Sequence, residues 1–123
     1  MKKQIATTAA PAAIGPYSQA IDLGNMVFIS GQIPVNPANG EIPEGIKAQT
    51  AQSIANIKAI LAEAGLTIDN VVKTTVFLAN MADFTAMNEV YAEAFTAPFP
   101  ARSAVAVREL PKQVLVEIET IAV

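Results

Sequence analysis

Between Ile46 and Leu78 the apolar pattern changes period, and that change limits the chain to folds in which helix and sheet share one core. Ile46, Ile54, Ile57, Leu61 and Ala64 recur at helical spacing, and Gly65 follows as a C-terminal stop. Residues 71–78, VVKTTVFL, are instead rich in β-branched side chains and predict a strand. Asn80 and Asp83 then stand as an N-cap and its N3 partner. A second helix is expected from about Met81 to Phe95, burying Phe84, Met87, Tyr91 and Phe95.

The flanking segments complete an α+β pattern. MVFIS, residues 26–30, ends at Gly31 and suits a buried strand. IPVNPANGEIPEG contains three prolines and two glycines, and predicts a long loop. The last third predicts strands over 102–107 and 114–123, joined by a turn through RELPK. In the second, Val114, Val116, Ile118 and Ala122 share one face, and Leu115, Glu117, Glu119 and Ile121 the other. The order strand, helix, strand, helix, strand, strand implies a sheet backed by two helices on one face, within a single domain spanning 1–123. The opposite face of the sheet needs a cover.

Composition suggests what that cover is. Hydrophobic residues make up 52% of the 123 and charged residues only 15%, against about 25% in ordinary soluble domains. No apolar run approaches the ~20 residues of a membrane span, and MKKQIATTAAPAA lacks the long apolar stretch of a secretory signal. A cytoplasmic protein is expected, with no membrane partner. The simplest sink for the surplus apolar surface is an interface between copies.

Absent residue types exclude whole chemistries. Without Cys or His there is no thiol nucleophile, no thiolate metal site and no imidazole proton shuttle. A net charge of -3 and a pI near 4.8 argue against a phosphate-binding surface, so nucleic acid is not an expected partner. The P-loop, dinucleotide, zincin and hydrolase-elbow motifs are all missing.

What remains centres on Arg102. It is one of two arginines and lies in the apolar segment FPARSAVAV. If the last two strands are neighbours, Arg102 meets Glu117. The pair then either neutralises itself as a structural ion pair, or Arg102 offers its planar fork to a substrate carboxylate while Glu117 holds a water or relays a proton. Burial would raise the Glu117 pKa and a nearby Arg102 would lower it. Tyr17 follows the turn at Gly15–Pro16, ahead of an expected strand, and reads as a packed aromatic with its hydroxyl at the surface. Gly31 marks a backbone bend or a close approach to an anion beside Ser30. Asn88 reads as a solvated helix position, and Glu119 as a rim residue.

IGPYSQA, MVFISGQIPVNP, VVKTTVFLANMADF, FPARSAV and VEIETIAV, in this order and spacing, resemble the RidA (YjgF) family of reactive intermediate deaminases, also called 2-iminobutanoate/2-iminopropanoate deaminases. The likeness covers essentially the whole chain. It implies a chorismate-mutase-like fold, a homotrimer whose sheets form a central barrel, and ligand clefts between subunits. It also implies cofactor-free, metal-free hydrolysis of enamines and imines, released by pyridoxal-phosphate enzymes such as threonine dehydratase, to 2-keto acids and ammonia. The resemblance puts the essential arginine on Arg102, the water-positioning glutamate on Glu117, and further cleft positions on Tyr17, Ser30, Gly31 and Asn88. Many relatives carry cysteine where this chain has Ala104, a position expected to give the ligand backbone contacts. The segment EAFTAPFPARS is shorter than in some members, which would reshape the cleft rim. Two rival functions are a non-catalytic 2-keto-acid sensor or holdase, and a ribonuclease or translation inhibitor.

Overall fold

A computed structural model describes all 123 residues. Six strands, β1 (Lys3–Ile5), β2 (Ala20–Asp22), β3 (Val27–Gln32), β4 (Val71–Leu78), β5 (Ala101–Ala106) and β6 (Val116–Ala122), form one sheet in the order β1-β2-β3-β6-β4-β5. All neighbours are antiparallel except β4 and β5, so the sheet is mixed. Two helices, α1 (Ile46–Glu63) and α2 (Phe84–Ala94), join β3 to β4 and β4 to β5. Both crossovers step the same way across the sheet. With the usual right-handed connection, that sends both helices to one face.

The core lies between that face and the helices. Ile54, Ile57, Ile60 and Leu61 of α1 meet Val76 and Leu78 of β4 and Val116, Ile118 and Ala122 of β6 in one cluster. Each fully buried Leu or Ile stabilises the fold by about 2 kcal/mol. Polar α1 residues inside this layer have structural work. Asn56 Nδ2 donates to the carbonyls of Ile33 and Val35, and Gln49 spans from the Pro43 carbonyl to the Leu115 amide, so α1 fastens the long loop over 33–45. The helix closes at Ala64, and Gly65 supplies the left-handed turn expected of it.

Several sequence expectations are refined. The Met81–Phe95 segment begins as a 3₁₀ turn over Met81–Asp83 before α2. Asn80 caps that turn by accepting from the Ala82 amide, while Asp83 makes no capping bond. Two short strands, β1 and β2, extend the sheet beyond β3, and the C-terminal strand starts at Val116 rather than Val114. The larger correction concerns the last two strands: β5 and β6 are not neighbours, because β4 lies between them. All four helix-facing residues of β6 (Val116, Ile118, Thr120 and Ala122) are buried, which requires a central position. β5 carries small residues and takes the edge.

The opposite face of the sheet carries no helix. Phe28 there is 43% exposed and Val105 45%, with half-buried Ile21 and Ile121 alongside. No helix is long and apolar enough to cross a membrane.

Candidate active site

Alternation along β5 turns Arg102 and Ala104 toward the helices, where Ala104 packs against the core. Arg102 enters a slot on α2. Its Nη1 donates to Asn88 Oδ1 at 2.7 Å, and the guanidinium lies 4.8 Å from the Tyr91 ring centre and 5.5 Å from that of Phe84. Residues 84, 88 and 91 share one stripe of α2, which explains why one arginine meets all three. Asn88 is thus a partner of Arg102 rather than a merely solvated helix position. A cavity of about 350 Å³ opens here, lined by Asn88, Tyr91, Ala92, Phe99, Pro100 and Arg102. No carboxylate pairs with Arg102, since the chain's one salt bridge joins Lys47 to Glu89 on the surface. Its remaining N–H groups are free to meet an anion.

The second cluster is built by the start of the chain. Gln19 uses its side-chain amide to hold the Thr7 backbone and the Ala10 and Pro11 carbonyls, which folds the N-terminal segment beside β3. Ser30 donates through Oγ to the Ser18 carbonyl at 2.6 Å and through its amide to the Gln19 carbonyl, so Tyr17 is drawn to the same edge. Tyr17 is 52% exposed, so more than its hydroxyl reaches the surface and the expected packed aromatic is only half covered. The β3–β6 register shifts between Ile29 and Gln32, so the chain bends at Ser30 and Gly31. Tyr17 and Gly31 border a cavity of about 740 Å³.

Glu117 completes this cluster. It occupies the space where a Gly31 side chain would stand: a Cβ there would overlap the carboxylate. Gly31 therefore matters for what it lacks. Burial pushes the Glu117 carboxyl above the ordinary glutamate range, and the charge of Glu119 pushes it further. Of the two opposing influences expected on it, burial prevails within the chain. Gly31→Ala is expected to displace this carboxylate and lower kcat/KM about tenfold or more, with helical content and oligomer size retained. Wild-type kinetics in that variant would contradict the contact's importance.

The structure thus brings Arg102, Asn88 and Ala104 together, and Tyr17, Ser30, Gly31 and Glu117 together, but keeps the two groups apart. Arg102 pairs across β4 with Thr74, and Glu117 pairs with Phe77, on opposite faces of the sheet. Two strand spacings and three residue steps separate their backbones by roughly 14 Å, with side chains diverging. The expected contact between Arg102 and Glu117 does not form within one copy. The intramolecular ion pair goes with it. Tyr91 and Phe84, which hold the guanidinium, were expected only as core residues. The helical spacing to Asn88 was the available signal.

Residues 7–123 match the protein family described as Endoribonuclease L-PSP. The chain is 56% identical to the 2-iminobutanoate/2-iminopropanoate deaminase of Escherichia coli K12, over all of this chain and 98% of that protein. It is 58% identical to a RutC family protein of Pyrococcus horikoshii, over 99% of this chain and 98% of the relative. Its fold superposes on the crystal structure of the E. coli yjgF product with a TM-score of 0.96 at 56% identity, over 98% of each chain. Superposition on E. coli TdcF, crystallised with bound serine, gives the same TM-score at 52% identity and 98% of each chain. Sequence and fold agree along the whole length, and the chain belongs to the RidA/YjgF/L-PSP family.

Proposed function

We propose that this protein hydrolyses 2-iminobutanoate and 2-iminopropanoate to the 2-keto acids and ammonia, at clefts where Arg102 of one copy faces Glu117 of another. The observation that carries the reading is the half-buried guanidinium of Arg102, held by Asn88 and two aromatic faces yet left without a carboxylate. Such a group is prepared for a small carboxylate ligand, and the 56% identical relative is named for imines that carry one.

Arg102 anchors the substrate carboxylate through two charge-assisted hydrogen bonds. Glu117 holds a water against the imine carbon and takes a proton as the water adds. Glu117 returns that proton to the nitrogen, the carbinolamine hydroxyl gives up its own proton as the C–N bond breaks, and ammonia leaves as the carbonyl of the keto acid closes. Tyr17, Ser30 and Gly31 border the Glu117 side, and Asn88 and the Ala104 backbone border the Arg102 side. An imine is reactive enough that orientation and a carboxylate that shuttles protons from water to nitrogen suffice without a cofactor or metal.

A ring of three copies lets each give its Arg102 side to one neighbour and its Glu117 side to the other. It would also cover the exposed Phe28 and Val105 on the bare sheet face. The test follows 2-iminobutanoate generated in place by an amino-acid oxidase or dehydratase. Faster loss with wild type than with Arg102→Ala or without protein supports the deaminase. Equal rates in all three, with the assembly intact, favour a 2-keto-acid binding module. RNA affinity falling steeply with salt would instead favour the ribonuclease, against which the acidic, His-free composition argues.

A further inference from the structure

The anchoring arginine is itself held by a buried tyrosine of α2. Tyr91 is only 5% exposed, and its hydroxyl shares a 2.7 Å hydrogen bond with Thr74 Oγ1. Its ring stacks on Phe95, with centroids 4.3 Å apart. Thr74 is in turn the register partner of Arg102 across the β4–β5 ladder. These contacts close a circuit in which β4 fixes the Tyr91 hydroxyl, Phe95 fixes its plane, and the remaining ring face lies under the guanidinium at 4.8 Å. Burial also keeps the hydroxyl protonated, by pushing it above the ordinary phenol range. Arg102, with its long flexible stem, would otherwise sample several orientations.

We infer that Tyr91 is a positioning residue: its ring, locked by Thr74 and Phe95, sets the plane of the Arg102 guanidinium and thereby the site's affinity for small 2-keto and 2-imino carboxylates. Asn88 fixes one nitrogen, and Phe84 bounds the slot at 5.5 Å. A cation on an aromatic face holds best where water is excluded, and the burial of Tyr91 supplies that condition. This inference rests on the carboxylate-anchoring reading of Arg102, but not on turnover.

The test joins binding, kinetics and one spectroscopic signal. With only two arginines in the chain, the ¹⁵N spectrum of the assembled protein has two Nε–Hε resonances, and the Arg102 signal should carry the shift imposed by the ring beneath it. Tyr91→Phe keeps the ring and its stack on Phe95 and gives up only the Thr74 bond. It should keep that shift, with the calorimetric Kd for 2-oxobutanoate and the KM for 2-iminobutanoate within about threefold of wild type. Tyr91→Leu should lose the shift and raise Kd and KM roughly tenfold, while kcat falls by less than about threefold. Wild-type Kd and shift in Tyr91→Leu would overturn the inference, as would equal damage from Tyr91→Phe. Should the Leu variant fail to assemble, Tyr91→Phe and the half-buried Phe84→Leu decide. Retention of the shift in the first with partial loss in the second supports the clamp, and any other pattern overturns it. If wild type binds 2-oxobutanoate with the expected Tyr91 dependence yet hydrolyses no imine, the deaminase reading fails and the clamp stands.

Discussion

Arg102→Lys is expected to lower kcat/KM for 2-iminobutanoate by about a hundredfold, although it preserves the charge. The slot on α2 is shaped for a plane. Asn88 Oδ1 takes one nitrogen at 2.7 Å, and the aromatic faces of Tyr91 and Phe84 flank the delocalised cation. An ammonium is a point charge with three tetrahedral donors. It can satisfy Asn88 or a substrate oxygen, but it cannot bond the amide while presenting two parallel N–H groups to a carboxylate. Arg102→Ala should lose at least as much while remaining assembled, because no salt bridge within the chain depends on Arg102. Steady-state kinetics beside size-exclusion chromatography checks both. Full activity in the Lys variant would contradict the anchor, and dissociation of the Ala variant would return Arg102 to a structural role.

Glu117→Gln should lower kcat by a hundredfold or more while changing KM little, since an amide can still hold a water but cannot accept its proton. In wild type, kcat/KM should fall on the acid side as Glu117 protonates: burial and then Glu119 raise that carboxyl within the chain, and the facing Arg102 of the neighbouring copy opposes them. The acid limb should vanish in the variant. Stability should move the other way. A carboxyl whose folded pKa is raised holds its proton more firmly in the folded chain. Its stabilising contribution is therefore present below the unfolded pKa and is lost as pH rises through the folded one. At neutral pH the ionised Glu117 weakens the fold, so Glu117→Gln should melt at the wild-type temperature or higher. A lower Tm with wild-type kcat would reverse both assignments.

Local structure was legible in the sequence because each signal was local. Gly65 ends α1 by its freedom to turn left-handed, VVKTTVFL forms β4 over the full expected span, and the alternation 114–122 sorts β6 into a buried and an outward face. Pairing was not legible. A chain that reads strand, turn, strand suggests a hairpin, but the segment through RELPK is long enough to cross β4. The buried face of β6 then wins the central position. That exchange sets Arg102 and Glu117 two strands apart, and their registers with β4 put them on different faces. β1 and β2 are only three residues each, and the segment between them is held by a single glutamine, Gln19, whose four hydrogen bonds no periodicity could reveal. The residue types of the candidate site were visible, and the family resemblance picked out their positions. Their division into two clusters required the fold.

That division makes the shared cleft directly testable. Arg102→Ala and Glu117→Gln copies, each inactive alone, can be unfolded together, refolded as mixed assemblies and assayed with 2-iminobutanoate. If Arg102 and Glu117 act from different copies, junctions pairing an intact Arg102 with an intact Glu117 reappear at random. In an equimolar mixture about a quarter of wild-type activity should return. If both residues served a cleft within one copy, every site would carry one lesion and the mixture would remain as inactive as its components, which would contradict the account.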